Sequence, residues 1–212
     1  MKKALVVVDF QNDFIDGALG FEKAHALKER VFKLVSEFEG DLLFTFDTHG
    51  KDYLATKEGQ NLPVPHCIKG ESGWQMGAEF EPFLQKATRV FEKGCFGSLE
   101  LAEFLRQERY EQVEFCGLVS HICVFHNVIL AFNALPNAKL ILHQTATANN
   151  LQVIGNEFCP GMRLSEKNVK FPHAREEAKG VLAELEKDNP KLFTSLKKAF
   201  ENIHPSSFWQ RA

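Results

Sequence analysis

Short, nearly uninterrupted apolar runs recur along this chain, at Leu5–Val8, Leu42–Phe46 and Val113–Gly117, and helical stretches lie between them. A strand with one wet face alternates apolar and polar residues, whereas a strand covered on both faces reads as a continuous apolar run, the habit of parallel sheets. Parallel neighbours need crossover connections, and the chain supplies them. A helix is predicted from about Lys23 to Glu39, a further strand at Arg89–Phe91 and a helix near Ser98–Gln107. After Val113–Gly117 come a helix from about His121 to Leu135 and a strand at Lys139–His143. The order predicts a single α/β domain, a doubly wound parallel sheet with helices on both faces. At 212 residues the chain is long enough to bury a substantial core.

In open sheets of this kind, ligands bind in the crevice outside the carboxyl ends of the strands. Three chemically capable residues fall at such ends. Asp9 directly follows the first apolar run in LVVVDFQNDF, Lys93 follows a short run in ATRVFEKGCFGS, and Cys123 comes just after the strand in VEFCGLVSHICVF. Cys123 is predicted in the first turn of its helix, where unpaired N–H groups and the dipole favour a thiolate. A silent buried thiol is the alternative for a cysteine taken alone.

Together, DFQNDF, EKGCFGS and GLVSHICV resemble the three motifs of the isochorismatase-like cysteine hydrolases, a family whose amidase members include nicotinamidases. The resemblance runs from about Lys2 to about Ala148. It implies that Asp9 is the proton acceptor, that Lys93 favours the anion, and that Cys123 attacks an amide carbonyl to leave a thioester. It also implies an oxyanion hole from the backbone N–H groups of Val119 and Cys123, with a cis peptide at Leu118–Val119. Isochorismate-type vinyl-ether hydrolysis and a non-catalytic binding protein on the same fold are the alternatives. His126, three residues after Cys123 on the same predicted helix face, offers a rival Cys–His dyad. His121, two residues before Cys123, points elsewhere if that turn is helical, unless it lines the pocket.

A second group lies in DLLFTFDTHGKDYLATKEGQNLPVPHCIKGESGW. Asp47 and His49 are i, i+2 on an extended chain and so share a side, and His66 brings another imidazole. A carboxylate and two histidines suit Zn²⁺, Fe²⁺ or Mn²⁺, although Asp and His are common in loops and the spacing alone also admits chance. The trio resembles the family's DxH…H metal site. Glu58 is a further oxygen donor, or merely a solvated loop residue. The segment 50–77 is too long for a structureless connector and is read as a binding insert. Phe14 is a candidate wall for a flat substrate. Nicotinamidases often carry a stacking tryptophan three residues before the second metal histidine; here Pro63 stands at that place, with Trp74 beyond His66.

The remaining observations bound the partners. A formal net charge of −3 and no Lys/Arg-rich stripe argue against nucleic acid. Five cysteines without a CxxC pair suggest reduced thiols and a cytoplasmic location. The apolar run after MKK stops at Asp9, too short for an export signal or a membrane span. Helices are expected at His173–Lys187 and from Asn189 to about Asn202, and Phe208 and Trp209 in the tail either pack on their own domain or dock on a second subunit; a homo-oligomer is expected. The sequence therefore predicts a cysteine-dependent hydrolase of a small planar amide, nicotinamide above all, with a divalent metal ion and no organic cofactor.

Overall fold

A computed structural model of the chain describes residues 1–149 and Lys187, which is helical and exposed. The chain divides into two compact units, Met1–Pro160 and Gly161–Ala212, and the fold below is that of the first. The rest of the predicted C-terminal helices, and the aromatic tail, lie outside the described residues.

The strands are β1 (Lys3–Val8), β2 (Asp41–Asp47), β3 (Arg89–Lys93), β4 (Gln112–Leu118) and β5 (Lys139–Ala148). They form one parallel sheet in the order β3-β2-β1-β4-β5. The central strand explains the uninterrupted apolar run. Leu5 and Val7 pack on one face with Val31 and Val35 of the helix Lys28–Glu37. Ala4, Val6 and Val8 pack on the other with Leu101 and Leu105 of the helix Leu99–Glu108 and Ala131 of the helix Phe125–Ala134. Residues 4–8 are fully buried, so neither face tolerates a polar side chain, and each large aliphatic contributes about 1.5–3 kcal/mol by leaving water.

Several predicted boundaries move. The helix predicted over Lys23–Glu39 is two pieces, Glu22–His25 and Lys28–Glu37, with Ala24 and Leu27 both in the core. The helix predicted from His121 starts at Phe125, after a π-helical turn over Ser120–Val124. β5 runs on past His143 to Ala148, with a register irregularity opposite Phe115 and Gly117. Ser98 caps its helix by accepting a hydrogen bond from the Leu101 N–H. The insert folds into short turns at Tyr53–Ala55, Lys57–Asn61 and Ser72–Trp74, and His49 bridges Ile68. Among the described residues, no helix is long and apolar enough to cross a membrane.

The strand order reverses at β1, because the chain leaves β3 at one edge and returns as β4 on the far side of β1. The carboxyl ends of β1 and β4 therefore frame the crevice where such sheets bind ligands. Close approach of the two strands there requires Gly117, whose φ is +111° and where a Cβ would stand 2.0 Å from the Val8 carbonyl oxygen. Asp9 leaves β1 with a φ of 44°, in the left-handed region that aspartate tolerates better than most residues.

Candidate active site

Asp9 is fully buried at the end of β1. Its Oδ1 accepts a hydrogen bond from Thr45 Oγ1 at 2.6 Å, and its Oδ2 lies 2.6 Å from Lys93 Nζ. Lys93, the last residue of β3, also donates to Asp47 Oδ1 at 3.3 Å and to the Cys95 carbonyl at 3.0 Å. Cys123 sits 4% exposed in the π-helical turn, near enough to Asp9 and Lys93 for their charges to act on its thiol. The Val119 carbonyl accepts from the N–H groups of Ile122 and Val124, which closes the turn, and the Leu118–Val119 peptide is cis.

Burial sets the protonation pattern. It raises the Asp9 carboxyl above the ordinary carboxylate range, against the pull of Lys93. Burial alone would lower Lys93, but Asp9, Cys123 and Asp47 outweigh it and hold the ammonium charged. Burial also pushes the Cys123 thiol well up, and Lys93 only partly offsets this. Cys123 lies in the π-helical turn that runs into the α-helix, and the dry site works against the thiolate that a helix N-terminus favours.

Beside this group Asp47, His49 and His66 are all buried, and their ligand atoms lie within 4.8 Å of one another. Asp47 Oδ2 is 3.1 Å from His49 Nε2 and 3.4 Å from His66 Nε2. Two ligands at zinc-like bond lengths of about 2.0–2.1 Å in a tetrahedron stand roughly 3.3 Å apart, so the separations fit one small divalent ion. His66 Nδ1 donates to the Val64 carbonyl at 2.8 Å, leaving Nε2 its lone pair for an ion. Glu58 Oε1, 4.0 Å from His49 Nε2 and 3.8 Å from His66 Nε2, supplies a nearby fourth donor. Burial would raise Asp47, yet Lys93 and the two imidazoles hold it far below the ordinary range.

A cavity of about 70 Å³ joins the two groups, with Cys123 and Val119 on one side and Asp47, Glu58 and His66 on another. At roughly 10–15 Å³ per water-sized sphere, that is room for about five waters or one small molecule of similar bulk. Phe14, Phe21 and Phe96 supply aromatic wall, and Leu62 lies on the stretch leading to His66. Pro63 is exposed and not among the lining residues. Nor is Trp74, whose indole N–H donates to Thr48 Oγ1 and whose ring packs on Phe46. His126 is also off the cavity, with Nδ1 bonded to the Ile122 carbonyl, so the Cys–His dyad is not assembled. His121 does line it, because the turn that carries it is not α-helical. Cys95 is exposed, and its carbonyl, not its thiol, meets Lys93.

The profile of the isochorismatase domain matches residues 3–149. The chain belongs to the isochorismatase family. Among relatives, the nicotinamidase/pyrazinamidase of Mycobacterium tuberculosis is 28% identical over 142 residues, covering 58% of this chain and 74% of the relative. The crystal structure of nicotinamidase PncA from Bacillus subtilis is 27% identical with a TM-score of 0.62, over 72% of this chain and 90% of that one. That of N-carbamoylsarcosine amidase from Thermoplasma acidophilum is 27% identical with a TM-score of 0.60, over 71% and 86%.

Three parts of this family site escaped the sequence reading. Thr45 looks like an ordinary core position of β2, yet its hydroxyl orients Asp9. Gln11 grips Asp47 by the backbone: Oε1 accepts from the Asp47 N–H at 2.8 Å, while Nε2 donates to the carbonyls of Asp47 at 2.9 Å and Trp74 at 2.8 Å. Asp13 Oδ2 accepts from the Cys67 N–H at 2.7 Å, beside His66. The DFQND run thus holds both the end of β2 that carries Asp47 and the loop that carries His66, a role signalled only by two polar side chains next to a buried strand end.

Proposed function

We propose that this protein hydrolyses the C–N bond of a small neutral amide through a thioester on Cys123, with nicotinamide to nicotinate and ammonia as the leading reaction. The observation that carries the reading is the ion pair of Asp9 with Lys93 at 2.6 Å, buried beside a cysteine on the wall of a largely apolar cavity. The named activities of the relatives point the same way.

With the thiol protonated at rest, Asp9 takes the proton from Sγ as sulfur attacks the carbonyl carbon. The carbonyl π electrons move to oxygen, and the oxyanion is met by the N–H groups of Val119 and Cys123. As the tetrahedral species collapses, the C–N bond breaks and Asp9 returns the proton to nitrogen, releasing ammonia. A water then gives a proton to Asp9 and attacks the thioester; the C–S bond breaks, the acid leaves and sulfur regains its proton. Lys93 stays charged throughout, which keeps the buried carboxylate and the developing anion affordable. A divalent ion on Asp47, His49 and His66 would supply a Lewis-acid anchor for a lone pair of the substrate.

The test is ammonia release from nicotinamide and a panel of small amides, with and without added Zn²⁺, Fe²⁺ or Mn²⁺. Turnover that vanishes in Cys123→Ala, with an acyl adduct on Cys123 after acid quench of the wild type, is the expected result. Near-normal turnover by Cys123→Ala would overturn the covalent route.

A further inference from the structure

The turn that carries Cys123 also carries a histidine to which nothing above gives a task. His121 lines the cavity, and both of its ring nitrogens are buried without a hydrogen-bond partner. The imidazoles of His49, His66, His126 and His143 each make at least one polar contact. Buried polar groups are nearly always paired, so an imidazole unpaired at both nitrogens beside a ligand cavity marks a place where a ligand supplies the partner once the ring turns a nitrogen toward it.

Its chemistry narrows that partner. Burial lowers the His121 pKa, so the ring is neutral, with one N–H donor and one lone pair. Asp9, Asp47 and Glu58 put negative charge around the cavity, and Lys93 is already shared between Asp9 and Asp47. A neutral heteroatom is what a neutral imidazole pairs with here. A half-turn of the ring exchanges Nδ1 with Cδ2 and Nε2 with Cε1, so either a donor or an acceptor can be presented without moving the ring plane.

We propose that His121 is a specificity residue: it hydrogen-bonds a second polar group on the acyl part of the substrate, apart from the scissile amide, and so selects neutral amides bearing a heteroatom over hydrocarbon ones. This rests on the amidase reading for its substrate class. Ser120 Oγ, 2.8 Å from Thr147 Oγ1, ties the start of the turn to β5 and steadies the residue that follows.

The experiment compares kcat/KM for pyrazinamide, nicotinamide and benzamide in wild type, His121→Asn and His121→Phe, each loaded with the same metal. Pyrazinamide, with two ring nitrogens, can meet a metal ion and His121 at once, so its ratio to benzamide is the deciding one. One neutral hydrogen bond corresponds to about two- to twelvefold in affinity. The ratio of a heteroatom-bearing amide to benzamide is expected to fall by that factor in His121→Phe, through KM, and to be partly restored in His121→Asn. An unchanged ratio, whether activity is kept or lost uniformly, overturns the proposal. A second readout is the ¹⁵N imidazole resonance of His121 in Cys123→Ala titrated with pyrazinamide and with benzamide. A shift with the first alone is expected, and no difference between them overturns the proposal. Movement of His121 with pyrazinamide alone, but no ammonia from any amide in wild type, would sink the amidase reading and with it the substrate class, while keeping His121 as the residue that meets a ligand heteroatom.

Discussion

Gln11 is the most exacting test of how the site is held. Replacing it by methionine keeps length and shape but removes an amide that is fully buried and makes three hydrogen bonds, two to the backbone of Asp47 and one to that of Trp74. An unpaired buried polar group costs about 1–3 kcal/mol, so the stranded groups together cost roughly 3–5 kcal/mol once local relaxation is allowed. At about 2–4 °C of Tm per kcal/mol for a chain of this size, Gln11→Met should melt about 6–20 °C lower. Asp47 would also lose the fixed direction of its carboxylate, and outer-shell losses of this kind weaken metal binding about 10–100-fold. Asn12→Ala is the control, since its bond to the Ser72 carbonyl at 2.9 Å is exposed and should cost well below about 1 kcal/mol. Urea unfolding of the metal-free proteins and competition with a chromogenic chelator measure the two effects separately. Metal affinity of Gln11→Met within twofold of wild type would refute the claim that this side chain aims Asp47.

Four further outcomes are expected. Gly117→Ala must place a side chain at a φ of +111° against the Val8 carbonyl, and should lose at least about 3 kcal/mol in urea unfolding; a loss under about 1 kcal/mol contradicts the close approach. Ala replacements of Asp9, Lys93 and Cys123 should each abolish ammonia release, and the doubles should be no worse than the singles, whereas multiplicative losses would mean that the three act independently. His49→Ala should bring metal content by elemental analysis well below that of wild type, and equal content would remove His49 from the ligand set. With Pro63 and Trp74 both off the cavity, the pyridine lacks a tryptophan wall worth about 0.5–1.5 kcal/mol, so nicotinamide should be turned over without strong preference; a preference of about a thousandfold over pyrazinamide, benzamide and aliphatic amides would show that Phe14, Phe21 or Phe96 makes up the difference.

What the sequence disclosed and what it hid follow from the range of the interactions. β1, β2 and β4 were legible because a strand covered on both faces has no room for polar residues, and Asp9, Lys93 and Cys123 were legible because parallel topology gathers strand ends. The Asp47–His49 spacing was legible for the same local reason. The π-helical turn was not, since it differs from an α-turn by one shifted hydrogen bond, Val124 N–H to the Val119 carbonyl, and leaves no trace in composition. That turn carries both Cys123 and His121. Thr45, Gln11 and Asp13 were hidden because their bonds join residues at least 36 apart in the chain. No periodicity encodes such pairs.

Asp47 makes the catalytic and metal groups one structure. It stands opposite Lys93 in the β2–β3 register, while Asp9 leaves β1, the neighbour of β2 on its other side. The ends of three adjacent strands thus set an ammonium between two carboxylates, with Asp9 Oδ2 at 2.6 Å and Asp47 Oδ1 at 3.3 Å from Nζ. The second oxygen of Asp47 is left facing His49 and His66. One carboxylate therefore serves a cation on each side, and such a group cannot be removed for one purpose only. On the proposed mechanism, Asp47→Ala would take a ligand from an ion held there and also remove one of the two carboxylates on Lys93, tightening its hold on the Asp9 that must exchange a proton with Cys123. Lost activity in that variant is consequently not a measure of the metal's role. His66, whose Nε2 faces Asp47 and Glu58 among the described residues, would isolate the share of an ion held there far more cleanly.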